Sequence, residues 1–113
     1  MDRGRDFLNK TVTVKIDRPL GSLHPKHNFL YLLNYGYVPN TKSGDGEELD
    51  AYILGEFKPL DTFTGKVLAV IERLDENDDK LVVAKDGKNY SDEQIEALVE
   101  FQEQWKRHKI VRN

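Results

Sequence analysis

Between Thr11 and Asp17 the chain reads TVTVKID, with Val12, Val14 and Ile16 alternating against Thr11, Thr13, Lys15 and Asp17. A period of two places the apolar side chains on one face, so this stretch predicts a half-buried β-strand. LDAYILG (residues 49–55) predicts a second strand, GKVLAVIERL (65–74) a third rich in β-branched residues, and KLVVAK (80–85) a fourth. The link DENDD between the last two is short enough for a hairpin turn. RPLGSLHPK, after the first strand, carries two prolines and a glycine that break regular structure.

The period changes near the C-terminus. Ser91 followed by Asp92, Glu93 and Gln94 predicts a helix start, with an N-cap hydroxyl, acids in the first turn and Gln94 placed for a capping box. Ile95, Leu98, Val99 and Gln102 then share one face, and Trp105 continues it. Several short strands and one late helix predict a mainly β (α+β) fold, a small and partly open barrel with one C-terminal helix.

Composition narrows the picture further. A chain of 113 residues supports one core, so a single domain over 1–113 is expected. With 38% hydrophobic and 33% charged residues the chain falls in the globular class and outside the disordered one. No apolar run approaches the roughly 20 residues that span a bilayer, and MDRGRDFLNK has no signal-peptide core, so no membrane partner and a cytoplasmic location are expected. The net charge of -3 argues against a nucleic-acid partner. Cysteine is absent, so any metal must take oxygen or histidine nitrogen, which favours magnesium or manganese.

Candidate chemistry lies in two acidic segments, Asp45 to Asp50 and Asp75 to Asp79, each at the end of a predicted strand. Acidic turns are commonly just solvated. If both strand ends faced one barrel mouth, however, the carboxylates would repel strongly unless cations joined them. A calcium loop fits poorly. In DENDDKLVVAKD the position that needs glycine is Lys80 and the last ligand position is Asp86 rather than glutamate, and DGEELDAYILGE places Asp50 at the glycine position. His24 and His27, separated by Pro25 and Lys26, are placed for a metal only with supporting ligands.

NYGYVPNT, DGEELDAYILG and DENDDKLVV, in that order and separation, resemble the family I soluble inorganic pyrophosphatases over about residues 11–106. The resemblance implies a five-stranded OB-like barrel that hydrolyses pyrophosphate to two orthophosphates with several magnesium ions, manganese being an alternative. The family's D-x-D-x-x-D signature stands here as Asp45, Glu47 and Asp50. By this resemblance Asp45, Asp50, Asp75 and Asp78 are metal ligands, with Glu76 beside Asp75. Glu47 and Asp50 serve the attacking water, and Tyr35, Lys80, Lys106 and Tyr31 contact or line the substrate site. Bacterial members are generally oligomeric, which leaves a homo-oligomer open for this chain.

The departures are specific. Glu47 replaces the signature's middle aspartate and adds one methylene. Thr13 and Lys15 stand where the family has an early lysine and glutamate, and Trp105 replaces a tyrosine and lacks its hydroxyl. The family arginine ahead of the paired tyrosines has no aligned counterpart. Arg18, His24 and Lys26 are nearby cations suited to the missing phosphate contacts. Phe101, Leu98 and Trp105 are expected to pack the helix, Lys10, Lys15, Lys66, Lys88 and Arg107 to be solvated, and Asn34 and Gly36 to shape the backbone, Gly36 through a positive φ. Two alternatives remain: a phosphate-ligand or nucleic-acid binding module on the same barrel, and a hydrolase of a larger phosphoanhydride such as a nucleotide.

Overall fold

Alternation in TVTVKID becomes strand β1, Thr11–Arg18, whose Val12, Val14 and Ile16 are buried between exposed neighbours. The computed structural model describes residues 1–112. The other elements are β2 (Asn34–Val38), β3 (Leu49–Ile53), β4 (Thr62–Arg73), β5 (Asp79–Ala84), α1 (Asp92–Glu103) and β6 (His108–Val111), after a short 3-10 turn at Gly4–Phe7. No helix among the described residues is long and apolar enough to cross a membrane.

The strands run in the order β1-β2-β3-β5-β4, and β1 pairs back onto β4, so five strands close into an OB-like barrel. All pairings within it are antiparallel except β3 with β5, which are parallel. Two strands add to the four read from the sequence. β2 is buried at four of its five positions and so shows no alternation, and β6 is a short, half-exposed strand that pairs only with β4.

Strand alternation divides the core in two. Val14, Ala51, Ile53, Val67, Val70, Leu81 and Val83 fill the barrel, while Tyr52, Ala69, Ile71, Val82 and Ala84 face outward and meet Ile95 and Val99 of α1. Helix α1 starts as expected: the Ser91 side chain accepts from the Gln94 backbone N–H, and the Gln94 side chain accepts from the Ser91 N–H. It ends at Glu103, so Trp105 lies beyond it. Leu98 and Phe101 pack the core, but Trp105 is 64% exposed, contrary to the packing role expected of it.

A bulge changes which way β4 points. Val67 pairs with Val83 and Ala69 with Val82, so Leu68 is the extra residue. Parity from Val67 would send Arg73 into the barrel. After the bulge Val70 points inward, and Ala69, Ile71 and Arg73 share the helix-covered face.

Gly36 corrects one expectation. The glycines with positive φ are Gly21, Gly46, Gly55 and Gly87, and Gly36 is not among them. It is needed instead because a Cβ there would lie 1.9 Å from the Lys15 carbonyl oxygen, where β2 crosses β1. Asn34 does shape the backbone: its side chain accepts from the Leu20 and Leu60 amides and donates to the Lys58 carbonyl, tying the β1–β2 and β3–β4 loops together.

Candidate active site

Because β3 and β5 are parallel and adjacent, the acidic segments that precede them emerge at the same end of the sheet. Those segments touch: a Cβ on Gly44 would come within 2.5 Å of Asn77 Cβ. The same pairing sets Asp50 level with Lys80. β2 places Tyr35 opposite Tyr52, and β1 places Arg18 opposite Tyr35.

Lys80 is the centre of the arrangement. Its ammonium, 4% exposed, donates to Asp50 Oδ2 at 2.6 Å and to Asp78 Oδ2 at 3.0 Å, and it stands 5.7 Å from the centre of the Tyr35 ring. One cation thus holds two carboxylates, Asp50 of β3 and Asp78 just ahead of β5, which offsets the repulsion they would otherwise feel.

A second cation stands behind it. The Arg73 guanidinium donates to both oxygens of Glu103, at 3.1 and 2.9 Å, and to Asp78 Oδ2 at 3.4 Å. Glu103 is buried and also accepts from the Tyr52 hydroxyl at 2.5 Å. Gln102 extends the network by donating to the Tyr52 oxygen at 2.8 Å and accepting from the Tyr31 hydroxyl at 2.6 Å. The C-terminal turn of α1 is thereby bonded to the sheet end that carries Asp78 and Lys80.

Protonation follows from this packing. Burial pushes the Asp78 carboxyl up, although Lys80 and Arg73 pull it down. Burial would raise Glu103 too, but the hydrogen bonds from Arg73 and Tyr52 outweigh it and its pKa falls. Burial, reinforced by the charges of Asp50 and Asp78, lifts the Tyr35 phenol well above its ordinary value, so it stays protonated at neutral pH and can donate a hydrogen bond.

A cleft of about 700 Å3 opens over Lys80. Arg18, Tyr31, Tyr35, Asp50, Lys80 and Lys106, all expected at the site, line it together. Asp78 reaches it through Lys80. Asp45, Glu47, Asp75 and Lys26 do not line it. Asp45 is exposed and turned into its own loop, accepting from the Ser43 hydroxyl and from the Glu47 N–H at 3.0 Å. These two bonds outweigh desolvation and lower its pKa. Glu47 is exposed, and Asp75 pairs with Arg107 at 3.3 Å. Lys26 is exposed in the 19–33 loop, where His24 Nδ1 accepts its backbone N–H. Lys106, half-exposed, pairs with Glu76 at 2.7 Å.

The cleft also contains residues not singled out for it from the sequence: Asp17 and Arg73 line it, and Glu103 supports it. Glu103 had a readable signal, since it lies four residues beyond Val99 and eight beyond Ile95, on the apolar stripe of the helix. Arg73 had none, because the bulge that redirects it leaves no local mark.

Among the described residues no three carboxylates or imidazoles form a ready-made metal cage. Magnesium seldom uses one, binding through one or two carboxylates, waters and substrate phosphates. The Asp50 and Asp78 oxygens, already sharing one cation, fit that donor set, with the Lys80 ammonium standing where positive charge is wanted.

The comparisons agree on one family. The model for "Pyrophosphatase: Inorganic pyrophosphatase" matches residues 7–110. The inorganic pyrophosphatase of Xylella fastidiosa (strain 9a5c) is 38% identical over 68 residues, covering 54% of this chain and 36% of the relative. That of Malacoplasma penetrans is 28% identical over 119 aligned positions, covering 96% of this chain and 63% of the relative. The chain therefore spans less than two thirds of the length of these curated relatives. Among solved structures, the inorganic pyrophosphatase from Ehrlichia chaffeensis superposes with a TM-score of 0.68 at 17% identity, over 90% of this chain and 85% of that one. The enzyme from Helicobacter pylori gives 0.62 at 20% identity, over 90% and 82%. Shared barrel topology and a family match over nearly the whole chain lead to one conclusion: the chain belongs to the inorganic pyrophosphatase family.

Proposed function

We propose that the chain hydrolyses pyrophosphate to two orthophosphates in a magnesium-dependent reaction in which manganese can substitute. The observation that carries this reading is the Asp50–Lys80–Asp78 bridge at the floor of a cleft also lined by Arg18, Arg73 and Lys106. Those cations suit the charge on a phosphoanhydride, whose hydrolysis depends on positioning and electrostatics more than on covalent chemistry.

Asp50 and Asp78 would hold magnesium, and Asp45 and Asp75, in the touching loops, are further candidate ligands. When bound, the metal supplies Lewis-acid polarisation of phosphate oxygens and activation of water. The remaining roles belong to the chain. Lys80, Arg18, Lys106 and, from the loop, Lys26 bind phosphate oxygens, and Tyr35 donates its phenol proton to one of them. Tyr31 walls the cleft. Asp50 orients water at the floor. Glu47 as proton acceptor calls for the 43–48 loop to fold over the substrate.

A second reading, phosphate-ligand binding without turnover, is favoured by one observation: Lys80 and Arg73 already neutralise the carboxylates they touch. Phosphate release from pyrophosphate and from ATP, with magnesium titrated, separates the two. Release from pyrophosphate that requires magnesium and falls by roughly a hundredfold or more in Asp50→Asn is expected. No release from either compound, in folded protein that still binds magnesium, overturns the hydrolase reading.

A further inference from the structure

We propose that this cleft takes a nucleoside polyphosphate, its phosphate end at Lys80 and its base against Trp105. The proposal rests on the reading of the Lys80 cleft as a phosphate site and extends it to the far end of the ligand. A row of rings joins the two ends. Trp105 lies with its ring centre 5.5 Å from that of Phe29, Phe29 lies 5.6 Å from Tyr31, and Tyr31 lies 5.4 Å from Tyr35, over which the Lys80 ammonium stands at 5.7 Å.

These rings differ in what occupies them. Tyr31 and Tyr35 are buried, and Phe29 packs against the core they belong to. Trp105 does not, being 64% exposed after the end of α1 and turned to the cleft. Its free face is an aromatic surface at the opposite end of the row from the cation. Pyrophosphate has no apolar or π surface to meet it. A nucleoside polyphosphate has both ends, a charged one and a flat one, separated by a ribose.

Size points the same way. Clefts of about 300–1,000 Å3 take drug-sized ligands, and pyrophosphate is far smaller than these. At about 700 Å3 the cleft has room beyond the Lys80 floor. Lys106, next to Trp105 in sequence, also lines the cleft, its ammonium paired with Glu76 at 2.7 Å. Stacking on an aromatic ring is tolerant of base identity, so discrimination among bases is not part of the proposal.

Trp105 is the one tryptophan in the chain, so its fluorescence reports directly on the proposed contact. The protein in EDTA is titrated with ATP, ribose 5-triphosphate and inorganic tripolyphosphate, by fluorescence and by calorimetry. Expected are quenching by ATP alone and an ATP affinity about tenfold above that of ribose 5-triphosphate, a difference that disappears in Trp105→Ala and returns in Trp105→Phe. Equal affinity for ATP and ribose 5-triphosphate, or an ATP preference that survives Trp105→Ala, overturns the proposal. Phosphate release from pyrophosphate with magnesium, measured on the same preparation, keeps the two readings apart. Release without a base preference sinks only this proposal, and a base preference without release sinks only the hydrolase.

Discussion

Glu103 and Asp78 share a guanidinium, yet their pKa values move in opposite directions. Glu103 gains more from Arg73 and Tyr52 than burial costs it, so it acts as a structural anion. A carboxylate with a depressed folded pKa adds stability that is present above its unfolded value, here 4.5, and lost as pH falls through the folded pKa. Unfolding free energy is therefore expected to fall on acidification below about pH 4.5, and Glu103→Gln removes that component. At pH 7 the same substitution takes one partner from a buried pair and costs about 3 kcal/mol, as urea unfolding would show. Asp78 carries the opposite sign: burial makes its charge costly, which fits a group kept for binding rather than for stability.

At the scale of elements, legibility followed period. β1 alternates and α1 is capped and striped, so both were readable from their residues alone. β2 was not, because burial on both faces erases alternation. The residues of β4 predict a strand, but its bulge at Leu68 reverses the facing of everything after it, so the position of Arg73 is not legible from local period. At Gly36 the sequence predicts a positive φ, whereas the structure requires glycine for the close approach of β2 to β1. Gly36→Ala should place a methyl against the Lys15 carbonyl and destabilise the protein by about 3 kcal/mol or more, with a lower Tm by calorimetry. Since Arg18 and Tyr35 are paired in that crossing, affinity for pyrophosphate should weaken in the folded fraction as well.

For the whole molecule, the barrel is what positions the floor of the cleft, since Tyr35, Asp50 and Lys80 stand on its strands. Leu81 lies fully buried inside it, next in the chain to Lys80. Leu81→Ala is expected to cost about 2–5 kcal/mol by urea unfolding, the spread depending on how far the barrel can collapse on the cavity. The sequence alone determined the types of the periodic elements, the hard-cation chemistry open to a chain without cysteine, the two acidic segments and the family resemblance, because each is written in local composition or spacing. Tertiary structure alone decided that β3 and β5 run parallel, so that Lys80 bridges Asp50 and Asp78, and that Arg73 and Glu103 stand behind them. It also decided that Trp105 faces the cleft instead of the core. Pairing between distant strands depends on which faces can be buried together, and no local period in the chain carries that information.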